Sequence, residues 1–525
     1  MNKEIMKLIF IAIALILMLS SCSSKYVTIA EDREANYSVQ SAPLLYEYAQ
    51  ENIFSYAPKS GFYPLINHVD SFSARLLLAQ AAKKKIRLQY FTYDSDYAGK
   101  ILFKALYDAA NRGVKVEFLI DDIELSYRDK IIAAVNSHEN ITVRVFNPTN
   151  SRGSFHFIDI AFHSDSLGRR MHNKAFIVDN SMAVFGGRNI GDKYLGMDKK
   201  DFYIDNDMLV VGPFVNKINN EFEHYFSSKY SVDFNEIAKM SSKHRLEKGI
   251  KKIHEILDSK YYKAFMKTMN NRAFVKAFRA KKTPFYFADA ELYFDLPNKI
   301  ESTEHNSSVY LRNQVDLKFT AQKSLHIANP YFIPDEDMFD NFASLREKGV
   351  EITVVTNSLE STDSKAVFAY YSQKIERLIK MGIKIYEIHP YAFREALINQ
   401  PYNLKRAAPN LMIHGKIMII DEKYFVIGSR NMDPRSRFLN TELIAMIDSE
   451  EVAIEEEKAY RHFFLPENTY KLSLQCENES HSGCVVVREA IINGEKVRFE
   501  GNDNVGIWEK IKLLFVTGLP IEELL

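Results

Sequence analysis

One short pattern occurs twice in this chain of 525 residues. In MHNKAFIVDNSMAVFGGRN (residues 171–189), His172 and Lys174 head an apolar run that ends at Asp179, followed by Gly186, Gly187 and Asn189. In IHGKIMIIDEKYFVIGSRN (residues 413–431), His414, Lys416 and Asp421 repeat the spacing, and Gly428, Ser429 and Asn431 repeat the tail. A short motif met once can arise by chance. Two copies with the same tail point to an internal repeat, which dictates the architecture.

The repeat extends beyond the motif. Residues 84–122 (KKIRLQYFTYDSDYAGKILFKALYDAANRGVKVEFLIDD) read strand, helix, strand, and so do residues 323–358. In both, an apolar strand ends near Tyr-Phe, an acidic turn opens a helix, and a basic residue plus Gly closes it before a β-branched strand. Phe91 and Phe332 are 241 positions apart, Gly113 and Gly349 are 236 apart, and His172 and His414 are 242 apart. Strands alternating with helices predict an α/β fold. It has two lobes, each a mixed β-sheet flanked by helices, together forming an internal pseudo-dimer. The first lobe is expected over 46–230 and the second over 286–470.

Between the lobes lies a segment of different composition, 231–285. From Lys239 to Lys282 there are 14 Lys or Arg against 3 Asp or Glu, within a chain whose formal net charge is zero. Interleaved aromatics (YYKAFMKTMNNRAFVKAFRAKK) give it the look of basic amphipathic helix. Such a helix suits an anionic membrane surface, nucleic acid or simply a solvated face.

The ends of the chain are read differently. Lys3 and Lys7 precede an uninterrupted apolar run, Leu8 to Leu19, too short for a comfortable bilayer span and suited to a signal-peptide core. LSSC, ending at Cys22, is similar to a bacterial lipoprotein signal in which the cysteine is acylated. A signal peptide over 1–22 and a polar tether over 23–45 are therefore expected, which makes the chain an exported, membrane-anchored lipoprotein of the bacterial cell envelope. In an exported protein the remaining pair, Cys476 and Cys484, is expected to form a disulfide. Residues 471–525 read as a hairpin turning at Asn493-Gly494, then an amphipathic helix. Its stripe of Ile507, Trp508, Ile511, Leu514 and Phe515 fits core or membrane contact.

The two motifs specify a chemistry. Cleaving a phosphodiester requires neutralising an anion, attacking phosphorus and protonating an alkoxide. Two histidines divide that work, one as nucleophile and one as general acid/base. Lys174 and Lys416 can hold phosphate oxygens, with Asn189 and Asn431 as neutral donors. Each histidine needs an acceptor to orient its second nitrogen. Asp207, in DNDMLVV, and Glu442, in LNTELIAM, are the candidates. No metal or other cofactor is expected, since no Cys/His or acidic spacing calls for a metal. Each half supplies one histidine, so one chain can build a whole site and a second copy is not required.

On these residues the chain resembles the phospholipase D superfamily, whose signature is a doubled H-x-K-x4-D with a trailing G-[GS]-x-N. Within it, RRMHNKAFIVD, GGRNIGDKYLG, TNSLESTD, GSRNMDPRSRFLNTE and the LPIEELL end are most similar to bacterial cardiolipin synthases of the C type, over about 60–525. The resemblance implies His172 as nucleophile and His414 as acid/base, or the reverse, and a structural role for Asp179 and Asp421. It implies a phosphatidyltransferase that makes cardiolipin from phosphatidylglycerol through a phospho-histidine, with membrane phospholipids as partners and no nucleic acid. The alternatives are a phospholipase D that uses water as acceptor, and a nuclease of the same fold. Gly187 stands where many members carry Ser, so the two halves are not expected to be chemically equivalent.

Overall fold

The computed structural model describes residues 58–124, 128–149, 168–198, 200–238, 243–301, 321–400, 410–477 and 483–502, with Thr517 and Glu522. The expected signal peptide with Cys22, the tether and the apolar stripe of 507–515 lie outside the described residues. Every described residue falls within one unit, Ser38–Leu525.

The first lobe contains β1 (Ser60–Leu65), β2 (Lys85–Tyr90), β3 (Lys115–Asp121), β4 (Ile141–Phe146), β5 (Ala175–Val178), β6 (Met182–Gly186), β7 (Asp201–Ile204), β8 (Asp207–Val211) and β9 (Ser231–Asp233). The second contains β10 (Tyr286–Phe294), β11 (Ser324–Ala328), β12 (Glu351–Asn357), β13 (Lys384–Ile388), β14 (Asn410–Ile413), β15 (Ile417–Ile420), β16 (Tyr424–Gly428) and β17 (Leu443–Asp448), extended by β18 (Thr469–Gln475), β19 (Val485–Ile492) and β20 (Glu495–Glu500). Both sheets follow one plan. β2, β3 and β4 run parallel, as do β11, β12 and β13. Antiparallel strands β5, β6 and β8 continue the first sheet, and β15, β16 and β17 the second. The sheets join where β1 pairs antiparallel with β10, Ser60 opposite Ala288.

The expected helix signals operate in both halves. Asp96 caps the helix Tyr97–Asn111 by accepting from Gly99 N–H at 3.0 Å, and Asp335 caps Glu336–Glu347 by accepting from Met338 N–H at 3.0 Å. Both helices stop at a glycine with positive φ, +90° at Gly113 and +83° at Gly349, a conformation that costs glycine little.

The motif aspartates do local work. Asp179 and Asp421 are the first residues of the β5–β6 and β15–β16 turns, with φ of 53° and 56°. The Asp179 carboxylate accepts from the N–H groups of Lys83, Lys84 and Lys85, each at 2.8 Å. Asp421 does the same for Gln322, Lys323 and Ser324, at 2.7–3.1 Å. Burial raises the Asp421 pKa, but those three amides outweigh it and hold the carboxyl below its ordinary value.

Among the described residues three large apolar cores result, with one small cluster beside them. One lies under the helices of the first lobe and one under those of the second. The third, between the lobes, mixes Phe62, Ile177, Phe185 and Phe222 with Ile413, Ile417, Phe425 and Leu443. The basic segment folds into helices Lys243–Leu257, Lys260–Asn271 and Ala273–Arg279. Phe265, Met269, Phe274 and Phe278 of the last two are buried in the first lobe's core, and Leu246, Ile250 and Ile253 of the first pack with Ala134 in a small separate cluster, while Lys251, Lys252, Lys263 and Lys267 face solvent. Near the end of the chain, Asn493-Gly494 turns β19 into β20, and a Cys476–Cys484 disulfide ties β18 to β19. No helix among the described residues is long and apolar enough to cross a membrane.

Candidate active site

Two strand contacts between the lobes bring the motifs together. β14 runs parallel to β7, and beyond it His414 and Gly415 donate their N–H groups to Ile204 O at 2.7 and 2.9 Å. The counterpart is a parallel bridge between Met171 and Thr441. Here His172 N–H donates to Thr441 O, and Thr441 N–H to Arg170 O, both at 2.9 Å. Asp121, at the end of β3, steadies this second contact by accepting from Met171 N–H at 2.8 Å and from Arg170 Nε at 2.7 Å.

These contacts seat each histidine beside a carboxylate of the opposite lobe. His172 Nδ1 lies 3.0 Å from Glu442 Oε2, and His414 Nδ1 lies 2.5 Å from Asp205 Oδ2. With Nδ1 held by a carboxylate, each ring is oriented and its Nε2 is left for chemistry. Glu442 was expected in this place; Asp207 was not found in it. Asp207 instead accepts from Ser71 Oγ, Arg75 Nη1 and Arg188 Nε, wholly buried. The register explains the correction. Gly186 pairs with Asp207, whereas the equivalent Gly428 pairs with Ile444. Two residues earlier on each strand stand Asp205 and Glu442. Matching the apolar runs that follow (MLVV and LIAM) slips the comparison by two residues, and Asp207 falls where the second lobe has an isoleucine.

The halves differ as the Gly187–Ser429 exchange foretold. Ser429 Oγ donates to Glu442, and Ser436 Oγ donates to it at 2.8 Å. A Cβ on Gly187 would lie 2.4 Å from Asp205 Oδ1, so no side chain fits there. Asp205 takes its own support from Asn206 N–H at 2.8 Å. Burial raises the Glu442 pKa, but His172, Lys174 and the Ser429 hydroxyl more than offset it, and Glu442 stays an anion. Burial wins at Asp205, whose pKa is raised despite Lys416 and Arg188.

The two histidines and two lysines of the motifs are all buried. Burial takes His172 down to about 4 against the pull of Glu442, and takes His414 well below its ordinary value with help from Lys416 and Lys174. It also lowers Lys174 to about 7 and Lys416 to about 8. Each ammonium donates to the carbonyl of its own motif histidine at 2.5 Å. Asn189 donates from Nδ2 to Tyr194 Oη at 3.1 Å, while Asn431 Oδ1 is buried without a hydrogen-bond partner. The structure thus gathers His172, His414, Lys174, Lys416, Asn189, Asn431 and Glu442, and leaves Asp179 and Asp421 at the hairpin turns.

Several neighbours escaped sequence reasoning. Phe91 meets His172 edge-on, Tyr194 meets His414 edge-on, and Tyr203 lies nearly parallel to His414. Two buried glutamates brace the lobe contacts. Glu221 accepts from Asn173 Nδ2, whose Oδ1 accepts from Thr441 Oγ1, and Glu456 accepts from Asn206 Nδ2 across the lobes. A buried acid in an amphipathic helix was the available signal, but sequence does not reveal its partner. Among the described residues no cluster of three His, Cys, Asp or Glu could hold a metal ion.

Two lobes of one plan, each lending a histidine, a lysine and the other's carboxylate, define a phosphodiester site of the phospholipase D-like class. A family profile described as cardiolipin synthase, PLD-like domain, matches residues 77–228 and 319–463, and the chain belongs to that family. It is 31% identical to cardiolipin synthase C of Escherichia coli (strain K12), over 75% of this chain and 82% of that one. It is 33% identical to an uncharacterised protein of Helicobacter pylori (strain J99), over 72% and 74%. The crystal structure of a phosphatidylserine synthase from Haemophilus influenzae Rd KW20 shares the fold, with a TM-score of 0.52 and 15% identity over 81% of this chain and 91% of that one.

Proposed function

We propose that this protein is a phosphatidyltransferase that makes cardiolipin from phosphatidylglycerol. The observation that carries the mechanism is the crossed pairing of His172 with Glu442 and His414 with Asp205. The likeness to cardiolipin synthases supports the substrate. A phosphatidylglycerol phosphate enters between Lys174 and Lys416, with Asn189 and Asn431 on its remaining oxygens. His172 is neutral and carries its proton on Nδ1 toward the Glu442 anion, so Nε2 attacks phosphorus. The bond to the head-group oxygen breaks, and glycerol leaves with the Nε2 proton of His414 as the proton held on Asp205 passes to Nδ1. A hydroxyl of a second phosphatidylglycerol then gives its proton to His414 and attacks. The P–N bond breaks, His172 is released and cardiolipin forms. Acid/base catalysis of this kind contributes about 10²–10⁴ in rate. The asymmetry in the carboxylates favours this order of roles. Glu442 remains an anion behind the nucleophile, while the raised pKa of Asp205 suits a pair that passes a proton.

The enzyme works at a membrane surface. The solvent-facing lysines of the basic helices provide the attraction to anionic lipid, and Tyr261 of those helices donates to Met197 O at 3.1 Å, in the loop that carries Tyr194. Acylation of Cys22 anchors the exported chain on the periplasmic side. The test is purified protein on phosphatidylglycerol vesicles, with lipid products separated. Cardiolipin with released glycerol is expected. Phosphatidic acid as the sole product would replace transfer with hydrolysis. For the anchor, Cys22→Ser should remove the acyl label and move the protein out of the membrane fraction.

A further inference from the structure

Beside His414 stands a carboxylate that the mechanism does not use. Asp363 lies beyond β12 and is exposed. Its Oδ1 accepts from Tyr331 Oη at 2.8 Å, and its Oδ2 from Tyr203 Oη at 3.2 Å. Among the described residues it accepts from these two hydroxyls and makes no salt bridge, and its charge is felt at Lys416. Tyr203 spans the gap to the histidine, its ring lying 5.6 Å from that of His414 at 22° while its hydroxyl end holds Asp363. Both phenol protons are committed to the carboxylate. The cluster therefore offers only acceptor lone pairs to a ligand.

A negative charge so close to Lys416 opposes phosphate binding. It favours a ligand with hydrogen-bond donors to place there. The alcohol that reacts at His414 is such a ligand when it carries further hydroxyls, set one tyrosine ring away from the reacting oxygen. Lys193 Nζ stands 5.1 Å from the Tyr203 ring and 5.3 Å from the Tyr194 ring, and it would repel an ammonium in the same place. Resting on the transferase reading, we infer that Asp363, held by Tyr203 and Tyr331, forms a subsite for the spare hydroxyls of a polyol head group. The subsite selects the alcohol that enters or leaves at His414. In each transfer the reacting hydroxyl gives its proton to His414 as the P–O bond forms and the P–N bond to His172 breaks, and Asp363 takes no part in the proton transfer.

An internal competition tests this. The full chain, supplied with phosphatidylglycerol in mixed micelles, is offered deuterated glycerol, 1-propanol and ethanolamine together, and the three phosphatidyl products are ratioed by mass spectrometry. All three acceptors draw on one intermediate, so the ratio is independent of total turnover, which a merely structural role of Asp363 would move instead. The wild type should favour glycerol over propanol at least tenfold. Asp363→Ala and Asp363→Asn should bring that preference to within about twofold of parity, and Tyr331→Phe, which keeps the carboxylate, should retain most of it. An unchanged ratio in both Asp363 variants, or ethanolamine as the preferred wild-type acceptor, would overturn the subsite and leave the transferase intact. Phosphatidic acid alone from the wild type would overturn the transferase reading, and the subsite with it.

Discussion

Asp205 and Glu442 occupy equivalent positions in the two lobes, and each serves the histidine of the opposite one. Asp207, two residues along, serves Arg75 and Arg188 instead. Substitution should separate these roles. Asp205→Asn and Glu442→Gln should lower kcat by about 10²–10⁴, the range of an acid/base contribution, in proteins that still fold. Asp207→Asn leaves buried guanidinium charge without its anion and should cost about 3–5 kcal/mol of stability. Melting curves and kcat on the three variants check this. A folded, stable Asp207→Asn with the largest loss of kcat would put the dyad back on Asp207.

The pH profile follows from the buried histidine and lysines. His172 must be neutral to attack, and its pKa is about 4. Activity should therefore fall as pH drops through that value. Lys174 and Lys416 must be charged to hold phosphate, and their pKa values are about 7 and about 8. The kcat/KM for a soluble short-chain phosphatidylglycerol should decline as pH rises through 7–8, about tenfold per pH unit between the two values and about a hundredfold per unit above both. A flat profile from 6 to 10 would show that the lysines stay charged or do not bind phosphate.

Asp179 is a turn residue despite its place in the motif. Asp179→Ala strands three backbone N–H groups and should destabilise the protein by about 2–3 kcal/mol. The kcat of whatever remains folded should stay within a fewfold of normal. Calorimetry with activity per folded molecule reads both, and a stable but inactive variant would place Asp179 in the chemistry.

The basic helices make a salt-dependent prediction. Changing Lys251, Lys252, Lys263 and Lys267 to Gln, in protein that begins after Cys22, should weaken binding to phosphatidylglycerol vesicles. Each charge near the surface contributes up to about 1 kcal/mol. The difference from wild type should shrink with salt as exposed charges are screened, and activity on dispersed short-chain lipid should persist. Equal binding of wild type and variant to sedimented vesicles would reduce these helices to a solvated face.

Much of this was legible in the sequence because duplication doubles every signal. The motif histidines, lysines and asparagines, the capped helices with their Gly stops, and the Asn493-Gly494 hairpin are all set by local patterns. Asp205 was missed for a physical reason. The loops between the motif and its carboxylate differ in length, from Asn189 to Asp205 in one half and from Asn431 to Glu442 in the other, and only strand pairing reveals which acid faces the histidine. Asp363 and Tyr203 reach His414 through folding alone, one from the turn before the helix Lys365–Lys380 and the other from β7. The basic segment could be read as a charged face. That its phenylalanines complete the first lobe's core depends on the helices of that lobe, which no local pattern displays.

The central claim, a nucleophile and an acid divided between the two lobes, is tested most directly by trapping the covalent intermediate. The His414→Ala protein is mixed with a phosphatidyl ester of p-nitrophenol, whose leaving group needs no proton, quenched within one turnover, digested at neutral pH and read by mass spectrometry. A phosphatidyl adduct on His172, absent from His172→Ala and unaffected by a chelator, is the predicted result. An adduct on His414 in His172→Ala with none on His172 in His414→Ala would reverse the roles, and near-normal turnover in either single variant would contradict the two-histidine mechanism.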